Sequence, residues 1–87
     1  MIHDLKTWPQ FFSKILSGEK TFELRNDDRH FAVGDTLRLR EWHPVDMEYT
    51  GAETTKSVTH LLRHDPTAGC AATFGLLPGY VILSLSD

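Results

Sequence analysis

The 87-residue chain has a single cysteine, Cys70, no basic excess, and no apolar run near the ~20 residues that a membrane-spanning helix requires. Each shortage excludes something. One cysteine cannot form an internal disulfide, and the N-terminal residues do not read as a secretory leader, so a reducing cytoplasm is the expected compartment and no membrane partner is expected. Cys70 sits among small residues, in His64-Asp-Pro-Thr-Ala-Gly-Cys-Ala-Ala-Thr73, with no general base beside it, and reads as a small loop residue rather than a nucleophile. Nine basic residues against 12 acidic ones give a net charge of −3. A protein that grips duplex nucleic acid through many phosphates carries the opposite balance, so any nucleic-acid binding must be local, through a short basic strip or a base pocket. The G-x-x-x-x-G-K pattern of a phosphate loop is absent. Of five histidines, only His60 and His64 have ligand-like spacing, in a stretch that reads as strand then loop, with no third ligand near in sequence. No cofactor is expected.

The composition is otherwise globular, with 40% hydrophobic and 24% charged residues. The length fits one domain over residues 1–87, since two cores cut from it would each be too small to hold. Ile2–Lys6 reads as a first strand, with Ile2 and Asp4 on one face and His3 and Leu5 on the other. Trp8–Gly18 reads as a helix, Pro9 suiting its first position and Gly18 its C-terminal cap. Phe11, Phe12, Ile15 and Leu16 fall on one apolar stripe, expected to be core packed against Phe22, Leu24 and the last strand.

After Gly18 the period switches to two. Phe22 and Leu24 point one way, Thr21, Glu23 and Arg25 the other. A polar loop, Asn26–His30, and a Val33-Gly34-Asp35 turn lead to a strand over Thr36–Trp42 with Leu37 and Leu39 inward. Pro44 ends that strand. Glu48–Gly51 is expected to turn the chain into a strand near Thr54–Leu62. An irregular loop follows over Arg63–Thr73, and Pro78-Gly79 turns into a last strand, Tyr80–Leu85. One helix and about five short strands predict an α+β fold, a small closed or nearly closed β-barrel with an N-terminal helix packed against it.

Two groups of residues carry chemistry. Lys20 follows the helix end, where backbone carbonyls favour a cation, and Thr21, Glu23 and Arg25 share a strand face at spacing two. Such a carboxylate and guanidinium also occur as a plain solvated ion pair. Arg38, Arg40 and Trp42 alternate on the other face of their strand. They form either a strip that tracks a nucleic-acid backbone and stacks a base, or a barrel's solvent face with cross-strand charge pairs. Arg25, Arg29 and His30 extend the strip if the two strands pair.

The run Gly18-x-Lys20-x-x-Glu23-x-Arg25, followed by Phe31-x-Val33-Gly34-Asp35-x-Leu37, resembles the signature of the ASCH domain, a PUA-like barrel. The wider text is similar to a small bacterial and phage branch of that group, the DUF3850 domain of unknown function. It includes His3-x-Leu5-Lys6, Asn26-x-Asp28-Arg29-x-Phe31, Leu39-Arg40-Glu41-Trp42, Tyr49-Thr50-Gly51 and Phe74-Gly75-Leu76-x-Pro78-Gly79-Tyr80-Val81, and spans nearly the whole chain. The resemblance implies a PUA-like barrel with a cleft lined by Lys20, Glu23 and Arg25, in which Glu23 accepts from a base N–H while Lys20 and Arg25 meet a carbonyl oxygen or phosphate. It also implies an alternative. Some ASCH proteins of this size are amidohydrolases that deacylate N4-acylated cytidine through a motif lysine, which Lys20 matches, helped by a threonine and a glutamate. Here Glu23 stands where such enzymes place the threonine, and Thr21 is only its neighbour. Three expectations follow: a binding module for RNA, a nucleotide or a modified nucleobase; a small amidohydrolase using Lys20 and Glu23; or a protein-interaction module, which the acidic balance favours.

Overall fold

The computed structural model describes residues 1–64 and 74–87. Five strands and one helix follow in the order β1 (Ile2–Thr7), α1 (Pro9–Leu16), β2 (Phe22–Asn26), β3 (Thr36–His43), β4 (Glu48–Arg63) and β5 (Tyr80–Ser86). The strands form one curled sheet in the order β1-β3-β4-β5-β2, a half-barrel whose two end strands are β1 and β2. With only eight residues in the helix, the molecule is mostly β rather than evenly α+β.

Strand β1 alternates as its sequence predicts, with His3, Leu5 and Thr7 buried and Ile2, Asp4 and Lys6 exposed. It runs parallel to β3 from Ile2↔Thr36 to Thr7↔Glu41, whereas every other pairing is antiparallel. Trp8 is held extended (φ −64°, ψ 149°), as a residue before proline prefers, and Pro9 opens the helix at N1. Beyond the helix, Gly18 takes φ +80°, where a side chain would be strained, and its N–H donates to Ile15 O at 3.2 Å.

Two predicted packings are corrected. In the helical stripe only Phe12 and Ile15 are buried, while Phe11 and Leu16 stay exposed, because an eight-residue helix resting on a curved sheet presents only one narrow line to it. In β2 the faces are reversed: Glu23 is buried, and Phe22 and Leu24 are about half exposed. A carboxylate turns inward only when its charge is compensated, and Glu23 has two cations on it.

The core joins Leu5, Ile15, Leu37, Leu39, Val58, Val81, Leu83 and Leu85 with Phe31 from the β2–β3 loop. Phe31 is positioned by its own backbone: its N–H donates to Asp27 Oδ1 at 3.1 Å and its carbonyl accepts from Arg63 Nη2, while Arg63 Nε donates to Asp27 Oδ2 at 2.7 Å. The β3–β4 turn falls at residues 44–47, with Met47 at φ 53°, not at Glu48–Gly51. Gly51 instead lies inside a 16-residue β4, at φ +97°, close to where the β3–β4 register shifts between Arg40 and Trp42. A second shift between Val58 and His60 occurs against β5, and such bulges bend a long strand enough for one sheet to curl around a core.

Candidate functional site

Because β1 and β2 end the sheet, they face each other across a seam closed by side chains instead of a strand ladder. Arg25 Nη2 donates to the carbonyl of Lys6 at 2.6 Å, and Arg29 Nη1 to that of Asp4 at 2.7 Å. A cavity of about 460 Å³ opens along this seam, lined by Lys6, Thr7, Trp8, Phe11, Lys20, Phe22, Glu23, Leu24 and Arg25. That lies within the range of small-ligand sites.

Lys20, Glu23 and Arg25 meet here. Lys20 Nζ donates to Glu23 Oε1 at 2.8 Å and to Phe22 O at 2.6 Å, and Arg25 Nε donates to Glu23 Oε2 at 2.9 Å. Glu23 is the hub, its side chain 6% exposed, with one cation on each oxygen, so the cluster carries one net positive charge. The helix delivers Lys20: Gly18 reverses the chain and the Lys20 N–H returns to Lys14 O at 3.0 Å. The spacing-two face of β2 then supplies Glu23 and Arg25.

The walls are aromatic and aliphatic. Trp8 and Phe11 stack with centroids 6.4 Å apart, and Lys20 Nζ lies 4.7 Å from the Phe22 ring and 5.7 Å from that of Phe11. These wall residues were missing from the sequence reading, which placed Phe11, Phe22 and Leu24 in the core. The available signal was an excess of large apolar residues on a short helix and a short strand, more than one small core can cover.

Thr21 does not line this cleft. It borders a smaller hollow of about 120 Å³ with Gly18, Lys56 and Leu85, and its carbonyl accepts from Leu85 N at 2.9 Å. Arg38, Arg40 and Trp42 stand apart as well, each engaged across the sheet. Arg38 Nη2 donates to Asp4 Oδ2 at 2.9 Å in a bidentate pair. The Arg38 hydrogen bond holds the Asp4 carboxyl below the usual aspartate value and raises the guanidinium in turn. Arg40 lies 3.6 Å from Glu53 and over Tyr49 at 4.1 Å, and Lys6 covers Trp42 at 4.5 Å. The strand pairing on which an extension through Arg25, Arg29 and His30 depended does not occur, since β2 pairs with β5 and not with β3, although Arg29 reaches the backbone of Asp4, the residue whose carboxylate holds Arg38. His60 is exposed on β4, and His64 Nδ1 lies 2.8 Å from Leu76 O. Cys70 is outside the described residues.

Fold and site together define a small half-barrel with an aromatic-walled, cation-lined cleft at its open seam. Residues 2–85 match the sequence model of the family described as "Domain of unknown function (DUF3850)", and the chain belongs to that family. It is also 38% identical over 58 residues to an "Uncharacterized 12.9 kDa protein in GpA 3'region" of Escherichia phage P2. The alignment covers 67% of this chain and 51% of that relative, so the chain spans about half the relative's length.

Proposed function

We propose that this protein is a PUA-like module of the ASCH type that binds RNA or a modified nucleobase in the β1/β2 cleft. The observation that carries this reading is the convergence of Lys20, Glu23 and Arg25 on one cavity walled by Trp8, Phe11, Phe22 and Leu24. Flat aromatic walls suit an unstacked base, and two cations beside them suit its carbonyl oxygens or an adjacent phosphate. An extended peptide fits less well, because the carbonyls of Asp4 and Lys6 that it would pair with on β1 already hold Arg29 and Arg25.

The amidohydrolase reading uses the same Lys20–Glu23 hydrogen bond. Lys20 Nζ already donates to Phe22 O and to the Glu23 carboxylate, an arrangement that fixes it as a cation-side wall for a ligand, and this supports binding over turnover. One experiment separates the two. The protein is titrated with single-stranded RNA oligomers and with cytidine and N4-acetylcytidine, following Trp fluorescence, while chromatography follows deacetylation. Saturable, salt-sensitive binding lost in Lys20→Ala supports the module. Turnover lost in Lys20→Ala replaces it with the enzyme. Neither result leaves the cleft without a nucleic-acid role.

A further inference from the structure

The positive charges of this chain are unevenly compensated. All nine lysines and arginines lie among the described residues. Lys14, Arg38, Arg40, Lys56 and Arg63 each face a carboxylate of their own, on Glu19, Asp4, Glu53, Asp87 and Asp27 respectively. The other four do not. Lys20 and Arg25 share the one carboxylate of Glu23. Lys6 lies over the Trp42 ring and Arg29 donates to the carbonyl of Asp4, and neither has an ion-pair partner among the described residues.

These four cations share one place. Lys6, Lys20 and Arg25 line the cleft, and Arg29 crosses the same seam, reaching Asp4 O as Arg25 reaches Lys6 O. Glu23 is the only acidic residue lining the cleft, and both its oxygens are taken. A chain of net charge −3 thus gathers its uncompensated cations at the β1/β2 seam. They are open to a ligand: Lys6 is exposed, and the side chains of Lys20 and Arg25 are 17% and 28% exposed. Arg25 uses Nε on Glu23 and Nη2 on Lys6 O, which leaves Nη1 to donate. A neutral base can accept from these groups but leaves the surplus charge uncompensated. An anion answers both needs, through charge-assisted hydrogen bonds roughly twice as strong as neutral ones.

We infer that the cleft is an anion site as well as a base site, its ligand carrying a phosphate that Lys6, Lys20 and Arg25 hold beside the aromatic walls. The inference rests on the nucleobase reading above and narrows it from nucleosides to nucleotides. Arg29 adds to the positive field from outside the cavity. The phosphate belongs either to a free mononucleotide or to the backbone of an RNA strand, and both present the same acceptor oxygens to the same cations.

The test titrates the folded protein with uridine, 5′-UMP and the dinucleotide UpU by Trp fluorescence, at low and at physiological salt. At low salt 5′-UMP, UpU or both are expected to bind roughly tenfold more tightly than uridine, the effect of one charge-assisted hydrogen bond. That gap is expected to narrow as salt rises. The tighter of the two phosphate ligands identifies the source, RNA for UpU and a free nucleotide for 5′-UMP, and either keeps the inference. Lys6→Gln is expected to narrow the low-salt gap. Lys56→Gln, which removes the same charge from a paired lysine outside the cleft, is expected to leave it unchanged. Equal narrowing in the two variants overturns the inference, because net charge alone then accounts for the preference. If uridine binds as tightly as both phosphate ligands, the inference fails while the nucleobase reading stands. If nucleosides, nucleotides and RNA all fail to bind, the nucleobase reading falls and the inference with it.

Discussion

Arg25 Nη2 on β2 donates to the backbone carbonyl of Lys6 on β1 at 2.6 Å, across the line where the two end strands face each other unpaired. The same guanidinium holds Glu23 through Nε at 2.9 Å. One side chain thus ties the site's carboxylate to the opposite lip of the cleft, so the cleft's width and its charge pattern depend on each other.

Arg25→Met keeps much of the aliphatic stem and removes both ties. It is expected to lower stability by about 1–3 kcal/mol, as for a lost charge-assisted hydrogen bond beside a buried carboxylate. Ligand binding is expected to weaken more than stability does. Urea denaturation and fluorescence titration of the same preparation measure the two effects, and a variant with wild-type binding would show that the tie has no part in the site.

Glu23→Ala strips the compensating charge from two cations and should be among the more damaging changes in the cleft. The double variant Glu23→Ala/Lys20→Met, which removes one of the cations left facing each other, is expected to recover part of the loss. A double-mutant cycle reads this as a coupling of about 0.5–3 kcal/mol. Strict additivity would mean that the Lys20–Glu23 pair contributes no interaction of its own.

Phe31 and Phe11 separate folding from binding. Phe31 is 2% exposed, and Phe31→Ala is expected to cost about 3–5 kcal/mol. Phe11 is 44% exposed on the cleft wall, and Phe11→Ala is expected to leave the thermal midpoint near that of wild type while weakening base binding by roughly 1–3 kcal/mol. A large stability loss in Phe11→Ala would return this ring to the core.

Asp35 supplies a pH dependence. Its carboxylate accepts from His3 Nε2 at 2.8 Å, which holds its pKa below the ordinary value, with help from the Ala32 N–H at 3.0 Å and the α-amino group at 3.3 Å. The folded chain therefore binds fewer protons here than the unfolded chain. The resulting stability is complete above the unfolded value of about 3.9 and is lost as pH falls through the lower folded value. Urea midpoints measured from about pH 6 down to pH 2 should show this acid limb, flatter in Asp35→Asn; equal limbs in the two proteins would remove Asp35 as its source.

Much of this was legible in the chain. Alternation placed β1 and β3 correctly, since each carries at least two inward positions that only burial explains: Leu5 with His3, and Leu37 with Leu39. The Gly18–Arg25 run located Lys20, Glu23 and Arg25 on one site because a helix stop, a lysine and a strand face follow there without a gap. What failed was the rule that apolar side chains face the core. It assigned Phe22 and Leu24 inward, because period two reveals that two faces differ but not which one is buried. Burying Glu23 depends on Lys20 and Arg25 meeting it in space, and exposing Phe11 depends on a seam that forms only when strands distant in sequence come together. The turn at residues 44–47 was misplaced because Gly51 signals a reversal equally well as a bulge.

Strand β2 has one neighbour, β5, and the pair joins residues as far apart as Phe22 and Ser84. Lys20, Glu23 and Arg25 are made early in synthesis, yet Glu23 and Arg25 have no strand to pair with until the last strand has emerged. Contacts of such long range are slow to form, because the loop they close is long. Although β5 contributes no side chain to the cleft, its arrival sets the moment at which the cleft exists. A nascent chain ending before Tyr80 can pair β1 with β3 and β3 with β4, but it has nothing to hold the binding strand in place.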